Sequence, residues 1–271
     1  MKILFYSVLL TCSMAVIYSC KKKSDTPAPA TNTKPVDMRT GLNKKWNTGN
    51  STSRVAVGAV ANDYVSFEFN ATGKYYIIMA DKSLLSGTFT LNTVDSLVTL
   101  FNANSTTSQY GTLTISSITD LTLTFKFTLN GTSSPIAINT TAAPVTIATA
   151  TGIAANQTDS LAQAWSLTRY TQGASTYDLT GTTAYANIVL TTSGTYWTEV
   201  YDGSTAVQTN TGQWIWSDAT QTRICTSSTN AVPNCSTNSQ TVTFDANGNL
   251  ILTTTPTGQA TTTYYYKKST L

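Results

Sequence analysis

Apolar and polar residues alternate with a period of two along most of this chain. Leu121, Leu123, Phe125, Phe127 and Leu129 take every second position, with Thr122, Thr124, Lys126 and Thr128 between them. A stretch with one dry and one wet face is a half-buried β-strand. Val65, Phe67 and Phe69, then Phe89 and Leu91, then Leu113 and Ile115 repeat the pattern more briefly. Ile188 and Leu190, Trp214 and Trp216, Val242 and Phe244, and Leu250 and Leu252 do the same in the second half. Nowhere do apolar residues recur at sustained spacings of three and four, so the pattern predicts an all-β protein.

Turn chemistry agrees. Asn70-Ala71-Thr72-Gly73 and Thr192-Ser193-Gly194 put glycine at the end of a short loop between apolar runs, where one residue must take positive φ. Asn247-Gly248 between two alternating runs is a strong hairpin signal. Ser160 with Gln163 three residues on has the form of a capping box, which predicts a single helical turn before Trp165.

The two halves also repeat one another. Leu42 and Trp46 align with Leu161 and Trp165 at an offset of 119. Tyr64, Gly73 and Tyr75 align with Tyr185, Gly194 and Tyr196 at 121; Gly87 and Phe89 align with Gly212 and Trp214 at 125. Leu121 and Leu123 align with Leu250 and Leu252 at 129. The order is kept and the offset drifts by loop-sized steps, so each copy is read as one small domain with its own core. The domains are 40–140 and 159–271, with an Ala/Thr-rich linker over 141–158.

Taken together, a capped turn, an early tryptophan and Gly-x-aromatic strand openings, seen twice, resemble bacterial lipocalin-like domains. The resemblance implies two tandem small antiparallel β-barrels, each able to hold one small apolar ligand or to be filled by its own side chains. Phe67, Phe69, Phe89, Phe125 and Phe127 supply bulk to fill the first. Two features depart from the family pattern. Lys44 and Gln163 stand two before the tryptophans, where the family has glycine, and the basic residue that in the family packs on that tryptophan from the last strand has no candidate in the first copy. Lys267 or Lys268 is the candidate in the second copy.

The N-terminus has a different character. Met1-Lys2 precedes an apolar run from Ile3 to Tyr18, too short for a spanning helix, which needs about 20 residues. Ile17-Tyr18-Ser19-Cys20 resembles the lipobox of bacterial lipoproteins. That resemblance implies a signal peptide over 1–19 and a lipid (palmitate-type) acylation of Cys20. Lys21 after the cysteine implies an outer membrane lipoprotein, its body facing either the periplasm or the cell surface. Residues 20–39 then form a flexible tether: Ser24–Pro35 has three prolines and no aromatic residue, and cannot offset the entropy of ordering.

Composition narrows the chemistry. There is no histidine among 271 residues, which removes histidine-based triads, general bases and metal sites. The net charge of +3 resides in the leader and tether, because residues 40–271 hold 10 basic and 11 acidic groups. A body of net −1 is no nucleic-acid binder. With Cys12 in the leader and Cys20 lipidated, Cys225 and Cys235 remain and are read as a structural disulfide in an exported protein, not a redox pair. Glu68 and Glu199 are the only glutamates and fall at non-equivalent places. No facing carboxylate pair, phosphate loop or nucleophile elbow is present, so no catalytic residue, metal or cofactor is assigned and the protein is read as not an enzyme.

The aromatics of the second copy remain. Trp197 and Tyr201 share one strand face with Glu199 between them, and Trp214 and Trp216 share another. These four are the candidate ligand-binding residues, against the alternative that they are core. The expectation is a membrane-anchored exported lipoprotein that binds a small apolar ligand without catalysis. The alternative is a non-catalytic surface or scaffold protein contacting glycans or protein partners through aromatic and Thr-rich strand faces.

Overall fold

The computed structural model describes residues 37–48, 64–103, 105–132, 134–143, 155–203, 205–228, 233–236 and 239–269. Cys20, the leader, most of the tether and much of the linker lie outside them. The short helix α1 (Met38–Leu42) opens the described chain, its first turn capped by the Asp37 carboxylate, which accepts from the Thr40 amide and hydroxyl. Eight strands follow: β1 (Lys45–Asn47), β2 (Tyr64–Phe69), β3 (Lys74–Met79), β4 (Leu84–Asn92), β5 (Leu97–Asn102), β6 (Gln109–Ile118), β7 (Thr122–Leu129) and β8 (Ile136–Ala142). Each pairs antiparallel with the next, and β8 pairs back with β1 through Trp46 opposite Ala142, closing a barrel with no free edge.

The second half repeats the plan. Helix α2 (Ala155–Leu161) leads into β9 (Ala164–Gln172), β10 (Ser175–Asp178), β11 (Tyr185–Leu190), β12 (Thr195–Asp202), β13 (Thr205–Trp216), β14 (Arg223–Ser227), β15 (Ser239–Phe244), β16 (Leu250–Thr254) and β17 (Thr262–Lys268). Pairing of β17 with β9 closes a second eight-stranded barrel. The extra strand, β10, is exposed along its length and folds back onto Arg169–Gln172 of β9, beyond the part of β9 that pairs with β11.

The internal repeat is carried down to single hydrogen bonds. The Trp46 indole donates to the Leu42 carbonyl at 3.1 Å, and the Trp165 indole to that of Leu161 at 2.9 Å. Each indole is a second donor to the last helix carbonyl, which also accepts from the Lys44 amide at 2.7 Å in the first copy and from the Gln163 amide at 2.9 Å in the second. Gly73 and Gly194 take φ of +80° and +85° in matching hairpins; their carbonyls accept from Phe89 at 2.8 Å and Trp214 at 2.9 Å. Asn247-Gly248 forms the expected turn, with Gly248 at +74°.

Three local expectations are corrected. Ser160 does not cap α2; it lies in the last turn, where its carbonyl accepts from the Gln163 amide, so the pair marks the helix end. Leu121 stands in the turn before β7 and is 65 % exposed, so the buried alternation starts at Leu123. The cation on the first tryptophan comes from Lys44, with Nζ 5.3 Å from the Trp46 ring and also bonded to the Asp120 carbonyl. In the second copy Lys267 and Lys268 are exposed, and Phe244 packs against Trp165.

The cysteines pair as read. Cys225 on β14 is buried and bridges to Cys235, with Cα atoms 5.2 Å apart. Closing so short a loop stabilises by about 2–3 kcal/mol on the chain-entropy account.

Both barrels belong to one compact unit, Lys34–Leu271, and share an interface. Tyr76 and Ile78 of β3 meet Ala164, Val189 and Trp197 of the second barrel in a buried cluster. The Trp197 indole crosses to donate to the Lys82 carbonyl at 2.9 Å. Beside it Glu68, on the outer face of β2 but only 2 % exposed, accepts from the Thr195 hydroxyl at 2.9 Å and the Ser193 amide at 3.3 Å. A buried carboxylate needs such partners, because burial without them costs several kcal/mol.

Candidate functional site

The two barrel interiors differ. In the first, Phe67 packs edge-on against Phe125 and Phe127 at 5.0 and 5.8 Å, and Tyr64 against Phe127 at 5.3 Å. Phe69, Trp46 and Tyr75 are also fully buried, so of the two alternatives left open for the first barrel its own side chains supply the filling.

At the offset of 121, the counterparts of Phe67 and Phe69 are Ile188 and Leu190; at 129, the counterpart of Phe125 is Thr254. The second barrel therefore lacks the aromatic bulk that closes the first. Leu161, Trp165, Trp214 and Trp216 pack one end solid. Beyond them lies a cavity of about 430 Å³, lined by Leu167, Ile188, Leu190, Ile224 and Leu252 on its apolar side. That volume falls within the range of small-ligand sites.

Tyrosine dominates the rest of the wall: Tyr170, Tyr185, Tyr196, Tyr201, Tyr264 and Tyr266. Strand alternation explains the set. Tyr196, Thr198 and Val200 alternate inward along β12, and Tyr264 and Tyr266 do so on β17. Tyr265, between the latter two, faces outward under the Arg169 guanidinium, 4.1 Å from its ring centre. Tyr185, at 39 % exposure, stacks on Tyr201 with ring centres 4.4 Å apart at the mouth. Tyr170 stacks likewise on Tyr177 at 4.6 Å, which ties β10 to the rim.

The wall carries no carboxylate, ammonium or guanidinium. Burial raises the phenol pKa values of Tyr196 and Tyr264, and pushes that of Tyr266 far up beside both neighbours. Tyr201 is pushed up to about 12, chiefly because its hydroxyl donates to the Glu199 carboxylate at 2.9 Å. These four phenols are neutral at physiological pH, so the site is polarised by hydroxyls and not by charge.

The four aromatic candidates are separated by the fold. Tyr201 lines the cavity mouth. Trp197 is 3 % exposed in the contact between barrels. Trp214 and Trp216 are edge-to-face at 5.5 Å inside the packed end, their indoles donating to the Thr191 carbonyl and the Thr158 hydroxyl. Tyr170, Tyr185, Tyr196, Tyr264 and Tyr266 were missed as site residues. The signal that reveals them is a comparison of inward positions between the copies, since bulk lost at 188 and 190 leaves space beside whatever faces them.

Among the described residues no group of three or more Cys, Asp or Glu is placed to hold a metal ion, and no helix is long and apolar enough to cross a membrane. The fold and cavity define a class: two tandem eight-stranded antiparallel barrels, the first filled and the second hollow. No protein-family model matches the chain, and no curated protein matches it. Among solved structures it is similar to a mutant of the vaccine antigen transferrin binding protein B from Haemophilus parasuis Hp5, at 9% identity and a TM-score of 0.20. That match covers 75% of this chain and 53% of the other, so the chain spans about half the length of that protein.

Proposed function

We propose that this protein is a lipid-anchored, exported, lipocalin-like carrier or sensor that binds a small apolar ligand in its second barrel without transforming it. The observation that carries the reading is the cavity of about 430 Å³, apolar and tyrosine-lined, in a barrel whose twin has phenylalanines clustered in its core. An apolar, half-open surface of this size is favourable to cover with a ligand of matching shape. The glycan-platform alternative loses support, since Trp197, Trp214 and Trp216 present almost no surface to a sugar.

A neutral environment-sensitive dye, N-phenyl-1-naphthylamine, tests the reading. The full chain should bind it saturably at one site. Ile188→Trp, which replaces a wall side chain by a bulkier one, should weaken binding at least ten-fold. Should that variant not fold, Thr198→Phe fills the same space from β12. Unchanged dye binding in a folded cavity-filled variant overturns the proposal. The anchor is tested separately. Cys20→Ala should release the chain from membranes into the soluble fraction, and persistent tight association would refute lipidation at Cys20.

A further inference from the structure

We infer that the second barrel selects uncharged, ring-bearing ligands that carry a hydrogen-bonding group, and discriminates against carboxylates such as free fatty acids. This rests on the cavity being a ligand site. Its first support is the wall, where side-chain polarity comes only from phenols, threonine hydroxyls and the Gln240 amide. A carboxylate entering that space would leave water without gaining a cation, and burying an unpaired charge is far costlier than burying a neutral hydroxyl.

The nearest cations stand outside. Arg169 is held on the outer face over Tyr265, Arg223 is exposed and donates to the Ser239 hydroxyl, and Lys267 and Lys268 are exposed. The carboxylate bonded to Tyr201, that of Glu199, is no wall residue and is of the wrong sign to pair with an anion.

The second support is Tyr266. It is 8 % exposed, lines the cavity, and among the described residues no donor or acceptor of the protein meets its hydroxyl. That hydroxyl is open to the water of the cavity and not sealed in the core, so a ligand hydroxyl or carbonyl that reaches it replaces water there without loss. Tyr264, 6.4 Å from Tyr266 and 6.1 Å from Tyr170, extends an aromatic wall from that point toward the mouth. Such a wall suits the face or edge of a ring. The geometry thus specifies two elements of the ligand: a ring against the tyrosines and a neutral polar group at Tyr266.

Three matched fluorescent probes separate the elements: pyrene, 1-pyrenemethanol and 1-pyrenecarboxylate, each titrated into the full chain at pH 8. The alcohol should bind at least ten-fold tighter than the carboxylate. Tyr266→Phe should weaken the alcohol about three- to ten-fold while leaving pyrene unchanged, with thermal melting reporting that the variant is folded. A carboxylate that binds as well as the alcohol overturns the inference and leaves the cavity reading intact. So does equal weakening of pyrene and alcohol in Tyr266→Phe, which would mark a change of shape only. If none of the three binds, and N-phenyl-1-naphthylamine does not bind either, the ligand site itself fails, and this inference with it.

Discussion

At the scale of single residues, two glycines show how tightly the duplicated plan is constrained. Gly87 on β4 pairs with Tyr75, and Gly212 on β13 pairs with Tyr196. A Cβ at Gly87 would lie 2.0 Å from the Phe101 carbonyl oxygen, and one at Gly212 only 1.8 Å from that of Ser227. Neither position has a positive φ, so the requirement is the close approach of a neighbouring backbone and not turn conformation. Backbone cannot swing aside as a side-chain tip can. Gly212→Ala should therefore cost about 2–3 kcal/mol, the upper part of the overpacking range, and Gly87→Ala a similar amount. Urea titration of the full chain checks this. A loss below about 0.5 kcal/mol would mean that the ladder absorbs a methyl group and that the glycines are incidental.

At the scale of elements, what could be read from the chain depended on how local the determining interaction is. Hairpins at Gly73, Gly194 and Gly248 were legible because positive φ is a demand made by the turn itself. The strands were legible because alternation reports a dry face. Alternation does not say what dries that face. Phe67 and Phe69 face a barrel interior, whereas Glu68, between them, is equally buried on the outside because the second barrel covers it. Trp197 is buried on such an outer face and Trp214 on an inner one, and no periodicity distinguishes the two. Val65 shows the complementary failure: a register shift between Tyr64 and Ser66 turns it out to 41 % exposure, although it fits the pattern of Phe67 and Phe69. The cavity was the least legible feature. It arises from residues that are smaller than their counterparts one copy earlier, and only a position-by-position comparison of the copies brings that out.

At the scale of the whole molecule, the two barrels meet through matching surfaces. Tyr76 and Trp197 are equivalent at the offset of 121, as are Glu68 and Val189, and all four lie at the contact. Each copy thus presents the outer face of the same two strands to the other, as the halves of an isologous contact do. The contact is asymmetric around Glu68, whose counterpart is Val189 and which lies in register with Lys45 across β1 and β2. Burial lowers the Lys45 pKa below its ordinary 10.5, and the Glu68 charge opposes that shift. Replacing Glu68 by Gln removes the opposing charge and weakens the bonds to Thr195 and Ser193, so the barrels should uncouple. Hydrogen bonds to a charged group contribute about 1.5–3 kcal/mol each, so calorimetry should show one unfolding transition for the parent and two for the variant. The Lys45 contribution carries a sign. Its ammonium is disfavoured in the folded state, so the deficit of the variant from this source is complete at neutral pH and disappears as pH rises through the lowered pKa towards 10.5. The hydrogen-bond loss persists throughout. A Glu68→Gln protein that melts in one transition, at the parent temperature and at every pH, would show that the interface is held by Tyr76, Ile78, Val189 and Trp197 alone.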